Sequence, residues 1–215
     1  DNKVISGGMT LLPTLKQRLA RIENLIGLEK CGLDKIDLRE GLLNIGAMVT
    51  HFDVSNSVLV KTENPAIAQL ASHIGDRQVR NRGTIGGSLA NNDPSACYPA
   101  AILAMSGTIH TTKRDIKAEN FFVDLFETAL EEDEIITSVS LPKPERAAYE
   151  KFPNPASRYA IVGIFVAKFH SEVRAAVTGA GEEGVFRCQQ IETALSEKFL
   201  PESLSEINIS ADGLM

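Results

Sequence analysis

The run Arg-Asn-Arg-Gly-Thr-Ile-Gly-Gly-Ser-Leu-Ala-Asn-Asn-Asp-Pro, residues 80–94, constrains this chain more than any other stretch. It crowds small, flexible and amide-rich residues between a basic run and a helix start. Glycine lacks a Cβ and adopts φ > 0, so the main chain can approach a ligand closely and turn successive N–H groups toward one anion. A fold built around this run needs a tight loop able to hold a phosphate-bearing ligand. A second such loop opens the chain: Val4-Ile5-Ser6-Gly7-Gly8-Met9-Thr10-Leu11-Leu12 reads as a short apolar strand entering a Gly-Gly turn with a hydroxyl beyond it. A single Gly-Gly pair is most often only a turn. Two of them, one followed by Asn91-Asn92-Asp93-Pro94, suggest one extended cofactor.

The 215 residues are 43% hydrophobic and 23% charged, enough for a sizeable core in one large or two modest domains. A formal net charge of -6 argues against a nucleic-acid partner, which would call for a basic excess. The basic run from Arg77 to Arg82 is local; it reads either as a solvated face or as an attraction for an anionic ligand beside it. No window approaches the roughly 18 consecutive apolar residues of a membrane span, and no tripartite leader pattern opens the chain. No membrane span is expected, and the expected location is cytoplasmic. Cys31, Cys97 and Cys188 are odd in number and far apart, and His51, His73, His110 and His170 are scattered, so no metal site or iron–sulfur cluster is expected on this chain.

Along the chain, Leu42 to Ala47 reads as a buried strand ending at Gly46, with Thr50 and Asp53 offering N-caps for a helix after it. Asn64 caps a helix to Ile74 with Pro65 at its first position, and Gly75 ends it. Asp93 is expected to cap a helix that starts at Pro94 and buries Ala100, Ala101, Leu103 and Ala104 before Gly107. Thr108–Thr112 is β-rich, Phe121–Leu130 helical or irregular, and Glu134–Leu141 a strand ended by Pro142-Lys143-Pro144, a subdomain joint. Two strands, Tyr159–Phe169 and Val173–Gly179, precede a helix from Cys188 to Phe199. Both ends read as cut: Asp1 enters a strand almost directly, and 207–215 has the look of a tail severed mid-element.

Neither loop meets the Gly-x-Gly-x-x-Gly dinucleotide fingerprint, and no Gly is followed by Lys and then Ser or Thr as a Walker sequence requires. The residues instead resemble the FAD-binding medium subunit of the xanthine dehydrogenase and aerobic carbon monoxide dehydrogenase family of molybdenum hydroxylases. Ser6-Gly7-Gly8-Met9-Thr10-Leu11-Leu12-Pro13-Thr14-Leu15-Lys16 meets the first pattern of that family, and Gln78-Val79-Arg80-Asn81-Arg82-Gly83-Thr84-Ile85-Gly86-Gly87-Ser88-Leu89-Ala90 the second, more specific one. Supporting matches are Ile45-Gly46-Ala47-Met48-Val49-Thr50, Asp133-Glu134-Ile135-Ile136, Tyr149-Glu150-Lys151-Phe152 and Tyr159-Ala160-Ile161-Val162.

The resemblance implies an α+β, FAD-binding PCMH-type fold with a C-terminal three-stranded antiparallel sheet packed with helices. It implies a FAD-binding region over 1–142, made of an N-terminal unit to about 52 and a central α/β unit over about 53–142, and an incomplete carbon monoxide dehydrogenase flavoprotein-like domain over 145–215. It assigns FAD contacts to Val4, Ile5, Ser6, Gly7, Gly8, Met9, Thr10 and Leu11 and to Thr84, Ile85, Gly86, Gly87 and Ser88, with backbone amides holding the pyrophosphate and ribityl chain. Ile74 and Ile136 match positions packing against the cofactor, Cys97 one that hydrogen-bonds it, and Lys151 a lysine near the flavin ring. Ser88 stands for the usual Asn, and Pro153-Asn154-Pro155 for a basic pair. Cys97 stands for a common Asp, and a thiol is the poorer acceptor.

The implied activity is that of an oxidoreductase subunit: FAD takes electrons from [2Fe-2S] clusters on a small partner subunit and passes them to an external acceptor, molybdopterin residing on a large partner. No acid, base or metal ligand is assigned here. Two rivals stand beside it: a non-redox assembly scaffold that has lost tight FAD binding, which Cys97 favours, and an oxidase of the vanillyl alcohol oxidase type, which would need a cap domain that 215 residues leave little room for.

Overall fold

The computed structural model describes residues 2–205, 207–210 and 212–214. The expectations made at Asp1 and Met215 lie outside the described residues.

The chain opens with β1 (Asn2–Ile5), the first glycine loop and α1 (Leu11–Lys16), after which β2 (Asn24–Gly27) returns to pair parallel with β1. β3 (Ile36–Arg39) and β4 (Leu42–Gly46) form a hairpin through Gly41, whose φ of 80° supplies the turn. A cluster of short helices comes next: α2 (His51–Asn56), α3 (Val58–Glu63), α4 (Pro65–Ser72), α5 (Arg77–Arg80), α6 (Ile85–Asn91) and α7 (Cys97–Ala104). Their caps are visible in the residues. Thr50 accepts from the Asp53 amide at 3.1 Å, Asn64 from that of Ile67 at 3.2 Å, and Asp76 from that of Val79 at 2.8 Å.

Beyond the helices lie β5 (Thr108–Thr111), β6 (Asp115–Lys117), the small hairpin β7 (Phe122–Asp124) and β8 (Glu127–Thr128), and β9 (Ile136–Leu141). A five-stranded antiparallel sheet in the order β3-β4-β9-β5-β6 results. The remaining strands, β10 (Arg146–Pro153), β11 (Ala160–Lys168), β12 (Val173–Thr178) and β13 (Phe186–Arg187), make a second antiparallel sheet, backed by α8 (Gln189–Glu197). Three of these strands are long and the fourth has two residues, so the expected three-stranded sheet gains a short edge. Helix α7 buries all eight of its residues, because β11 and β12 cover one side while α4 and α6 cover others. A helix apolar all round needs such an enclosed place.

Three local expectations are corrected. Helix α7 begins at Cys97 behind Ala96, not at Pro94. Asp93 spends its carboxylate on the Ser95 amide at 2.9 Å, while the Pro94 and Ala96 carbonyls accept from Thr178 Oγ1 at 2.8 and 2.7 Å. Docking on the second sheet thus holds 93–96 in a turn, closed by the Ala96 amide on the Asp93 carbonyl at 2.9 Å, ahead of the helix. The second glycine loop runs directly into α6, of which Ile85, Gly86 and Gly87 are the first turn. Residues 121–130 form the β7–β8 hairpin, shaped by buried Asn92, whose Nδ2 donates to the Asp124 and Glu127 carbonyls at 2.9 Å each.

Candidate cofactor-binding site

The two glycine loops meet. Thr84 Oγ1 donates to Ser6 Oγ at 3.2 Å and, as N-cap of α6, accepts from the Gly87 amide at 3.1 Å. A Cβ on Gly87 would lie 2.7 Å from Ser6 Oγ and 2.9 Å from Thr84 Oγ1, and one on Gly7 would run into the Arg82 carbonyl oxygen. Residues almost eighty positions apart therefore meet, and glycine is what lets them approach.

The hydrogen bonding of the two loops differs. Ile85 and Gly86 donate their amides to the Val49 and Ala47 carbonyls at 3.1 and 2.9 Å, and Ser88 to Thr84 O at 3.0 Å. A Cβ on Gly86 would stand 2.5 Å from that of Ala47, so this glycine serves the packing of α6 on the end of β4. Among the described residues, by contrast, the amides of Gly7, Gly8, Met9 and Thr10 find no acceptor, nor does that of nearly buried Thr84. Gly8 has φ of 75°, which curls this loop on itself. Converging N–H groups without partners make an anion-binding concavity, and free main-chain donors are rare enough to need a reason.

The other expected residues divide. Val4 and Ile5 lie half-buried on β1. Leu11 begins α1, and Ser88 is half-buried one position beyond the glycine pair. Ile85 and Ile136 have their side chains in the main apolar core, where a cofactor could reach only their backbone. Ile74, Cys97 and Lys151 gather in a second cluster. Lys151 Nζ donates to the His73 and Arg158 carbonyls, each at 2.8 Å, and to Cys97 Sγ at 3.5 Å. Arg80 Nη1 donates to the Ile74 and Gly75 carbonyls at 3.0 Å, tying this cluster to the run that leads into the second loop. Asn154 turns the chain after Pro153 by accepting from the amides of Ala156 and Ser157 at 2.9 and 3.1 Å. A depression of about 590 Å³ opens beside this turn between Ser95, Tyr159 and Gly179.

Between the clusters lie residues to which the sequence assigned no cofactor contact. His51 sits behind Gly83, whose Cβ would be 2.6 Å from its Nε2, and its ring lies 5.4 Å from that of Tyr98. His51 Nδ1 and the hydroxyls of Tyr98 and Tyr149 are buried with no hydrogen-bond partner among the described residues. Burial raises both phenols, with the Cys97 sulfur beside them adding to the effect. Their only signal in the sequence was proximity to caps and motif residues, since each lies in a different segment.

Burial, reinforced by the Arg80 charge, pushes His51 down to about 4 from 6.5. With the folded value below the unfolded one, the unfolded chain takes up a proton first, so the stability linked to neutral His51 is full above pH 6.5 and drains as pH falls toward 4. Glu134, held down to about 2 by Arg114 and Thr111, loses its contribution only below pH 4.5. The interval from pH 7 to 4.5 therefore isolates His51. Urea melts should show a loss of about 2–3 kcal/mol across it, and His51→Gln should flatten that slope; an equal slope in the variant would refute the assignment to His51.

A crevice of free amides joined to a basic and aromatic cluster, on a frame of two antiparallel sheets and buried helices, defines an α+β protein that binds an extended phosphate-bearing cofactor. Residues 1–144 match the family described as the FAD binding domain in molybdopterin dehydrogenase, and the chain belongs to that family. It is 36% identical over 191 residues to the nicotine 6-hydroxylase medium subunit of Paenarthrobacter nicotinovorans, covering 84% of this chain and 68% of that one. It is 34% identical to the carbon monoxide dehydrogenase medium chain of Hydrogenophaga pseudoflava, covering 77% of this chain and 61% of that one. The fold superposes on quinoline 2-oxidoreductase from Pseudomonas putida 86 with a TM-score of 0.86 at 29% identity, over 94% of this chain and 74% of the other. The chain thus spans about two thirds of the length of these curated relatives.

FAD fits what the loops offer. Its diphosphate would be held by the free amides of Gly7–Thr10 and Thr84, with Ser6 and Thr84 hydroxyls alongside, and no carboxylate side chain stands between Ser6 and Leu11 or Thr84 and Ser88 to repel it.

Proposed function

We propose that this chain is the FAD-binding subunit of a molybdenum hydroxylase complex, accepting electrons from iron–sulfur clusters on a small partner subunit and delivering them to an external acceptor, with molybdopterin on a large partner. Bound FAD supplies the two-electron redox chemistry. The chain's own residues bind and orient. Gly7, Gly8, Met9, Thr10 and Thr84 present amides to the diphosphate, Gly87 leaves the space beside Ser6, and Ser88 stands next along α6. Val4, Ile5 and Leu11 flank the first loop, and Ile74, Cys97 and Lys151 would line the ring's side of the cofactor. Lys151 would hold a cation beside the bound cofactor, positioned by the His73 and Arg158 carbonyls. Ile85, Gly86 and Ile136 hold the frame from beneath. Among the described residues no three His, Cys, Asp or Glu side chains gather as a metal site.

The proposed division falls at Pro142–Pro144, with the FAD-binding region over 1–142 and a second unit over 145–215, and the proposed compartment is the cytoplasm. No helix among the described residues is long and apolar enough to cross a membrane. The observation that carries the reading is the contact of Ser6 with Thr84 and Gly87 across a crevice lined by unpaired amides.

Purified chain titrated with FAD is expected to gain an absorbance band near 450 nm that survives gel filtration, one FAD per chain. Chain that stays colourless at tens of micromolar FAD would overturn the flavin reading and restore the scaffold. Flavin binding without association with co-expressed iron–sulfur and molybdopterin subunits would overturn the partnership.

A further inference from the structure

The β7–β8 hairpin presents an apolar knob that the fold itself does not use. Val123 is 54% exposed and Phe126 60%, with Leu125 between them also exposed. Phe126 adopts φ of 58°, a left-handed conformation that glycine or asparagine takes more readily than phenylalanine. An exposed aromatic ring on unfavourable backbone gains nothing for the isolated chain, and such strain clusters at functional positions. The hairpin is nonetheless held firmly. Phe126 N donates to the Asn92 carbonyl at 3.1 Å, and Asn92 Nδ2 grips both strands. Asn92 is also the left-handed C-cap of α6, the helix whose first turn forms the second glycine loop, so knob and cofactor crevice sit at opposite ends of one short helix.

The charges at the tip are acidic, while basic Arg114 stands behind β8, its Nη2 donating to the Ala129 carbonyl at 2.7 Å as it pairs with Glu134. Asp124 and Glu127 flank the tip, and Glu182 and Glu183 stand exposed on the loop across a groove of about 370 Å³ lined by Phe122, Val123 and Gly181–Phe186. No Lys or Arg occurs between Phe121 and Asp133. An apolar tip within an acidic rim calls for an apolar socket edged by basic side chains.

We infer that the hairpin Phe122–Thr128, with the 181–186 loop, is a docking knob for another subunit of the complex, one that offers an apolar socket rimmed by Lys or Arg. The inference rests on the proposed function. Co-expression with the iron–sulfur and molybdopterin subunits tests it, comparing wild type with Phe126→Gly and Val123→Ser. Phe126→Gly removes both ring and strain, so the free variant should keep FAD and melt at or above the wild-type temperature, yet assemble at least tenfold more weakly. Val123→Ser should weaken assembly in the same direction, and Asp124→Asn with Glu127→Gln should slow association at low salt and shrink its salt dependence. Assembly of both apolar variants at wild-type affinity overturns the knob and leaves the proposed function standing; failure of the wild type to assemble overturns both. Self-association of the isolated chain that Phe126→Gly abolishes would also overturn it, by making a second copy the occupant.

Discussion

Gly87→Ala is expected to weaken FAD binding by tenfold to a hundredfold while leaving the fold intact. The new methyl would stand 2.7 Å from Ser6 Oγ and 2.9 Å from Thr84 Oγ1, closer than real contacts allow. Both neighbours are side-chain oxygens, so the strain is relieved by turning them, which breaks the link between the loops and shifts the amides meant for the diphosphate. Losing one charge-assisted hydrogen bond costs about 1.5–3 kcal/mol, and each 1.4 kcal/mol is about a factor of ten. Stability should change by under ~1 kcal/mol, because alanine in the first turn of α6 gains helix propensity as it crowds the cap. Flavin fluorescence quenching gives the affinity and a urea melt the stability. A variant that binds FAD as tightly as wild type would remove Gly87 from the site, and one that fails to fold would make its role structural.

The second large effect concerns Arg174. It lies buried on the central strand β12 and reaches across to the C-terminal end of α7, where Nη2 donates to the Leu103 carbonyl at 3.1 Å and pairs with Glu119. Glu119 also accepts from Ser106 Oγ at 2.9 Å. The guanidinium thus ties the second sheet to the helix that begins at Cys97 and to the segment before β7. Arg174→Ala leaves a partly buried carboxylate with the Ser106 hydroxyl as its remaining donor and no cation, and the Leu103 carbonyl with the Ser106 amide alone, and is expected to lower the unfolding free energy by about 2–3 kcal/mol. Arg174→Met combined with Glu119→Gln should recover part of that loss, since the unpaired charge rather than the lost contact carries most of it. Denaturant midpoints at constant slope measure both; a loss under ~1 kcal/mol in Arg174→Ala would show that the strap contributes little.

Local signals were legible where local chemistry suffices. Asn64 and Pro65 announce α4 because cap oxygen, fixed proline φ and apolar spacing all belong to one short segment. Thr50 does the same for α2. Asp93 carries an equally good cap signal and yet caps no helix, because Thr178 and Gly179 claim the Pro94 carbonyl and the chain stays in a turn until Cys97. The 121–130 segment reads as helical or irregular by itself, and its hairpin depends on Asn92, some thirty positions earlier. In the site, the glycine motifs mark both loops, while His51, Tyr98 and Tyr149, to none of which the sequence assigned a cofactor contact, lie in three segments that meet only after folding.

The residues themselves determine that two glycine turns exist, that each can bring backbone close to an anion, and that the chain resembles flavin-binding subunits. They do not say which amides remain free. The tertiary structure decides that: α6 packs on β4, so Gly86 and Ile85 spend their donors on Ala47 and Val49. The first loop keeps its own donors, since no acceptor among the described residues faces them. A donor's availability depends on what lies opposite it in space, and no spacing along a chain records that.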